Sequence, residues 1–252
     1  MAATVDSLSF GYARDAPVVQ EVSASLGAGQ LCALIGPNAA GKSTLLRLML
    51  GHMAPWSGTV RLAGREVRGL DASLRASWIS YVPQRGVAGF AFTVAQVVSM
   101  GRTMHRADDA AVESAIEACG LRPLRERVYP HLSAGQQQRV MLARALAQSA
   151  GDGRVMLLDE PASAMDLWHV HRTMQLLVEQ ARRGLAVLAV LHDLNLAARY
   201  ADQVWLLNEG RLAACGPWSD VMVPEVLEPV YRLRLRAIRP DGVDRDQFIA
   251  TI

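Results

Sequence analysis

One stretch has the residue types and spacing to hold a phosphate: Gly36-Pro37-Asn38-Ala39-Ala40-Gly41-Lys42-Ser43-Thr44. It fits G-x-x-x-x-G-K-[ST], a loop whose backbone N–H groups surround an anion. The apolar run Leu31 to Ile35 before it reads as a buried strand. Leu45 to Leu50 after it reads as a helix stopped by Gly51. A helix N-terminus behind a ring of N–H groups attracts negative charge. Lys42 supplies a point charge for the β- and γ-phosphates of a nucleotide, and the Ser43 hydroxyl is a ligand for Mg²⁺ on the same oxygens.

Two further apolar runs end in polar residues. Val155 to Leu158 runs into Asp159-Glu160, and Leu185 to Leu191 into His192. Continuous apolar strands are those of a sheet buried on both faces, and ligands of such sheets bind beyond the carboxyl ends of the strands. The loop, the acid pair and the histidine are therefore expected on one edge. Phosphoryl transfer to water needs neutralised charge, a positioned water and a base. Asp159 suits the Mg²⁺ shell, Glu160 can polarise the water, and His192 can contact the γ-phosphate. Gln84, directly after the strand Trp78 to Val82 and Pro83, could reach Mg²⁺ and the water through its amide oxygen.

Other polar residues are read more simply. Ser133 with Gln136 fits a capping box opening a helix that reaches about Gln148, which is either a plain cap or a second anion site. Tyr12, after the first strand, could stack on an adenine or merely sit on the rim. His169 and His171 are two apart on a helix and face different ways, and His52, His105 and His131 are isolated, so no histidine metal site is expected.

These side chains need a scaffold, and composition allows one. In 252 residues, hydrophobic types make up 51% and charged types 20%, enough for a buried core. Lys and Arg number 26 against 24 Asp and Glu, a net +2 that gives no field for nucleic acid. Three scattered cysteines, Cys32, Cys119 and Cys215, suit reduced thiols rather than a disulfide framework. Met1 to Asp6 lacks a basic start followed by an apolar core, so no secretory signal is expected, and no apolar run is long enough to cross a bilayer. Residues 4–35 read as β-rich. Thr59 to Ala63 with Glu66-Val67 reads as a hairpin around Gly64. Val94 to Met100 and Asp108 to Cys119 read as helices, and Tyr231 to Arg236 as a half-exposed strand.

Taken together these motifs resemble the ATP-binding cassette ATPases, over essentially the whole chain and in the family's order. Gly36 to Thr44 resembles Walker A, and Val155 to Glu160 resembles Walker B with its catalytic glutamate. Leu132-Ser133-Ala134-Gly135-Gln136 resembles the signature motif. Gln84 resembles the Q-loop, Ser163 to Asp166 the D-loop, His192 the switch histidine and Tyr12 the adenine-stacking aromatic. The resemblance implies an α/β fold: a P-loop (RecA-like) core with an N-terminal antiparallel β subdomain and an inserted helical one, divided as 1–85 and 140–252 against 86–139. It implies ATP and Mg²⁺ as ligands and a head-to-tail homodimer in which each ATP lies between one Walker A and the other chain's signature helix. It also implies a membrane permease dimer and an extracytoplasmic substrate-binding protein as partners, no nucleic acid, and a peripheral place on the cytoplasmic face of the membrane.

The chain departs from the family pattern at Ala39 and Ala134, where glycine is usual, at Met165, where the D-loop has leucine, and at Ala162, where threonine is common. Of these Ala134 is expected to matter, because close backbone approach to a phosphate favours glycine. Phe92 to Arg102 and Asp166 to His171 resemble importers of iron chelates, haem and cobalamin, with haem nearest and ferric siderophore next. A soluble cassette acting on DNA would need a long coiled coil between Gln84 and Ser133, for which there is no room. A kinase or GTPase is disfavoured by the signature segment and by the lack of an Asn-Lys-x-Asp motif.

Overall fold

The computed structural model describes residues 1–84, 91–104, 108–242 and 244–251. His105, named above, lies outside the described residues.

The chain starts with a long hairpin, β1 (Ala3–Ala13) and β2 (Ala16–Leu26). Tyr12 therefore lies within β1, not after it. The strand runs past Gly11, where pairing with β2 continues and a Cβ would lie 2.3 Å from the Ala16 carbonyl oxygen, so glycine there serves close packing rather than a stop. Next come β3 (Leu31–Ile35), α1 (Lys42–Met49), β4 (Ser57–Leu62) and β5 (Arg65–Glu66). β4 and β5 form the expected hairpin, and with β1 and β2 they make a four-stranded antiparallel sheet in the order β2-β1-β4-β5.

α2 (Ala72–Trp78) leads into β6 (Ile79–Val82), so Trp78 ends a helix rather than beginning the strand. No residue of α2 is fully buried, and only Leu74 and Trp78 pack partly on the core, which leaves a short, weak apolar pattern to read. α3 (Val94–Ser99), α4 (Asp109–Ala118) and α5 (Ala134–Ser149) follow. A capping box at Thr93 starts α3, and the Asp108 carboxylate caps α4. α5 packs on α3 and α4 and also on β6, and it continues unbroken through residues 139 and 140.

The rest alternates strand and helix: β7 (Val155–Asp159), α6 (Leu167–Arg182), β8 (Ala186–Val190), α7 (Leu194–Tyr200), β9 (Gln203–Asn208) and β10 (Arg211–Pro217). α8 (Trp218–Val221), α9 (Pro224–Tyr231) and a closing hairpin, β11 (Arg234–Ile238) with β12 (Gln247–Thr251), complete the chain. Tyr231 belongs to α9. The strand expected from Tyr231 begins only at Arg234, because Arg232 turns the chain in a left-handed conformation at φ 55°. That conformation usually falls to glycine, so the sequence gives no warning of the turn.

The central sheet has the order β10-β9-β3-β8-β7-β6, parallel except for β10. Alternate residues of each inner strand feed two cores. Leu31, Ala33 and Ile35 join Met156, Leu158, Val187 and Ala189 under the helices. Cys32 and Leu34 join Leu157, Leu188 and Trp205 under α1 and the antiparallel sheet. This two-sided burial is why these strands read as unbroken apolar runs. Register levels their ends: Val190 pairs with both Leu34 and Asp159. The loop after β3, the acids after β7 and the histidine after β8 thus emerge along one edge.

Candidate nucleotide site

Gly41 starts α1 at φ 101°, and a Cβ there would lie 2.6 Å from the Val18 carbonyl oxygen, so only glycine fits. Gly36 is held as tightly against the Leu207 carbonyl, at 2.0 Å from an ideal Cβ. Ala39, between them, has φ 62°. A non-glycine residue there costs roughly 1–2 kcal/mol. Ala134 is the first residue of α5 and has no such strain. Of the two departures from glycine, the left-handed backbone falls on Ala39; the expectation at Ala134 concerns close approach to a phosphate, which is separate from backbone strain.

The loop folds around its own lysine. Lys42 is buried, and its Nζ donates to the Gly36 and Pro37 carbonyl oxygens, both at 2.7 Å. Burial lowers its pKa, against the opposing pull of Glu160 and Asp159. The Ser43 hydroxyl donates to Asp159 Oδ1 at 3.1 Å. Asp159 is 4% exposed; burial raises its carboxyl pKa against the Ser43 hydrogen bond, and Glu160 adds to the rise. A buried carboxylate beside a hydroxyl, with a nucleotide loop one turn away, is a hard-oxygen donor set of the kind Mg²⁺ takes. Glu160 follows at φ 53° and places Oε1 2.6 Å from His192 Nε2. Its carbonyl oxygen accepts from Ser163 Oγ at 3.2 Å and from Gln138 Nε2 at 2.5 Å.

Other expected site residues sit nearby or apart. The Tyr12 hydroxyl lies 3.3 Å from Thr44 Oγ1 and accepts from Arg47 at 3.4 Å, while its ring is 63% exposed. Asn38 and Ala39 are exposed and Ala40 is buried on the loop. Gln84 is exposed at the end of β6, and the structure gives no hydrogen bond between it and Ser43 or Asp159. Ser133 caps α5: its hydroxyl accepts from Gln136 N at 3.3 Å, and Gln136 Oε1 accepts from Ser133 N at 3.0 Å. Leu132 is buried while Ser133 and Ala134 face solvent, and no described hydrogen bond ties Ser133–Gln136 to the Gly36–Thr44 loop. Asp166 caps α6, and the His169 backbone N–H together with its ring holds the carboxyl below its ordinary range.

Two residues of this neighbourhood were not read from the sequence. Gln138 is buried and bridges α5 to the segment after β7. The signal available was a third glutamine in an unbroken Gln136-Gln137-Gln138 run, placed where a helix turns inward. Asn195 lies three residues after His192. Its side chain exchanges two hydrogen bonds with the backbone of Phe248 in β12, at 2.7 and 3.3 Å, tying the histidine's helix to the closing hairpin. Only tertiary structure brings those two together.

Residues 19–163, more than half of the chain, match the family described as ABC transporter. The chain belongs to the ABC transporter family. It is 41% identical to a hemin import ATP-binding protein HmuV of Gloeobacter violaceus, over 88% of this chain and 84% of that one. It is 43% identical to the protein of the same name from Pseudomonas entomophila, over 85% and 86%. Among solved structures, a metal-chelate type ABC transporter in an inward-facing conformation superposes with a TM-score of 0.83 at 27% identity, over all of this chain and 98% of the other. As an ABC ATPase the chain binds ATP, and among its described residues no helix is long and apolar enough to cross a membrane.

The raised Asp159 carboxyl has a consequence for this cassette without ligands. A carboxyl whose pKa is higher folded than unfolded loses stability as pH rises through the interval between the two values. At neutral pH, Asp159→Asn is therefore expected to raise the melting temperature of the ligand-free protein, while its ATP hydrolysis falls. Calorimetry between pH 4 and 8 checks this; a variant that melts below the parent at pH 7.5 would contradict it.

Proposed function

We propose that the chain is the ATP-hydrolysing subunit of a haem importer, working as a head-to-tail homodimer on a membrane permease. The observation that carries the ATPase reading is the single edge holding Lys42, the Ser43–Asp159 pair and the Glu160–His192 pair. Gly36 to Thr44 holds the ATP phosphates through backbone N–H groups, and Lys42 exchanges its loop carbonyls for phosphate oxygens. Tyr12 offers its exposed face to the adenine. Ser43, Asp159 and Gln84 would hold Mg²⁺, which supplies neutralising charge on the phosphate oxygens. Glu160 accepts a proton from water as that water bonds to the γ-phosphorus, and the bond from the γ-phosphorus to the bridging oxygen breaks to leave ADP and phosphate. His192, released from Glu160, donates to the γ-phosphate. Ser133, Ala134, Gly135 and Gln136 close on the ATP of the partner subunit, with Ser163 and Asp166 lining the junction.

The hemin-import names of the relatives support haem as the cargo. The structural neighbour of metal-chelate type favours a second reading, a ferric siderophore. The permease partner places the chain on the cytoplasmic face of the membrane, with a binding protein acting on the far side. Proteoliposomes containing the chain, its permease and its binding protein test the cargo. Uptake and a severalfold rise in ATP turnover are expected with hemin and not with ferric siderophore; the opposite selectivity would replace haem.

A further inference from the structure

Gln138 is the buried member of the polar run Gln136-Gln137-Gln138-Arg139 of α5, and both ends of its amide are used. Nε2 donates to the Glu160 carbonyl oxygen at 2.5 Å, and Oε1 accepts from Ala164 N at 3.2 Å. It thus clamps the backbone on both sides of the turn that carries the base and leads to Asp166. That turn needs holding, because Glu160 sits at φ 53°, a conformation that non-glycine residues occupy only when their surroundings enforce it. A second, independent contact reaches the same turn from the same helix. Gly135 packs so closely that a Cβ would lie 2.6 Å from the Ala164 carbonyl oxygen. The first turn of α5 therefore presents Ser133 to solvent at its tip, while its next residues are fixed to the segment that aims Glu160.

We infer that Gln138 is a positioning residue that couples the two nucleotide sites: α5, seated by Ser133 on the partner's ATP, sets through Gln138 the orientation of its own chain's Glu160. This rests on the shared-pocket dimer proposed above. Physically, α5 is a rigid four-turn lever. A small displacement of its N-terminus is passed to the Glu160 carbonyl and to Ala164 N, one hydrogen bond to each, with no soft element between. A chain whose partner carries no ATP would leave its base in the nucleotide-free arrangement, paired with His192 at 2.6 Å.

The test uses Gln138→Leu, which removes both hydrogen bonds at nearly constant volume. Gln148→Leu in the same helix is the control, because Gln148 also donates to two carbonyls, Ala76 at 2.8 Å and Ile79 at 3.0 Å, far from the base. Gln138→Leu is expected to lower kcat by ten-fold or more, to leave the ATP affinity of the single chain unchanged, and to bring a Hill coefficient above one down to one. Gln148→Leu is expected to melt earlier and to keep kcat and the Hill coefficient of the parent. Equal loss of kcat in both variants would make Gln138 a prop of the helix and overturn the proposal, as would parent kinetics in Gln138→Leu. ATP-driven pairing of Glu160→Gln, measured alongside, separates the two layers. Pairing with unaltered Gln138→Leu kinetics removes the coupling alone; absence of pairing removes the dimer reading and the coupling with it.

Discussion

Glu160→Gln is expected to bind ATP as the parent does and to hydrolyse it about 10²–10⁴-fold more slowly, the range that a positioned general base contributes. Glutamine keeps the size of the side chain and can keep its hydrogen bond to His192 Nε2, now 2.6 Å from Glu160 Oε1, by a change of histidine tautomer. The strained turn at φ 53° is held through the backbone carbonyl by Gln138 and Ser163, so it does not depend on the carboxylate. What disappears is the proton acceptor. Bound ATP is then expected to persist, and with it the closed pair of the proposed dimer. Quench-flow and filter retention of labelled ATP read the two effects separately. Hydrolysis at the parent rate would remove Glu160 from the role of base.

Ser133→Arg is expected to abolish hydrolysis nearly as completely while leaving ATP binding by the single chain intact. Within one chain, no described hydrogen bond connects Ser133 to the phosphate loop, so a purely local site would not notice the substitution. Loss of the cap costs about 1 kcal/mol of stability, too little to unfold a domain whose stability is several times that. The larger effect is steric. A long guanidinium side chain replaces a hydroxyl at the exposed helix tip that, in the proposed dimer, reaches the partner's γ-phosphate. Ser133→Thr keeps the capping oxygen and is expected to retain most turnover. Full hydrolysis by Ser133→Arg would mean that each site is complete within its own chain.

The central sheet was legible because each of its inner strands buries both faces, so Leu31–Ile35, Val155–Leu158 and Leu185–Leu191 read as unbroken apolar runs ending in polar chemistry. The Ser133 cap was legible because its spacing is local. α2 was not, since none of its residues is fully buried and only Leu74 and Trp78 touch the core. The end of α9 was hidden because Arg232 adopts the turn conformation usually left to glycine. The left-handed turn at Ala39 carries no sequence signal, because alanine is not a residue that usually takes that conformation. Gln138 and the Asn195–Phe248 link depend on contacts between distant segments, which a motif search along the chain does not see.

Sedimentation velocity of Glu160→Gln across a wide range of protein concentrations, with and without ATP, addresses the shared pocket most directly. A shift from one chain to two that needs ATP, and that Ser133→Arg in the same background prevents, is the predicted result. A single chain saturated with ATP at every concentration would contradict it.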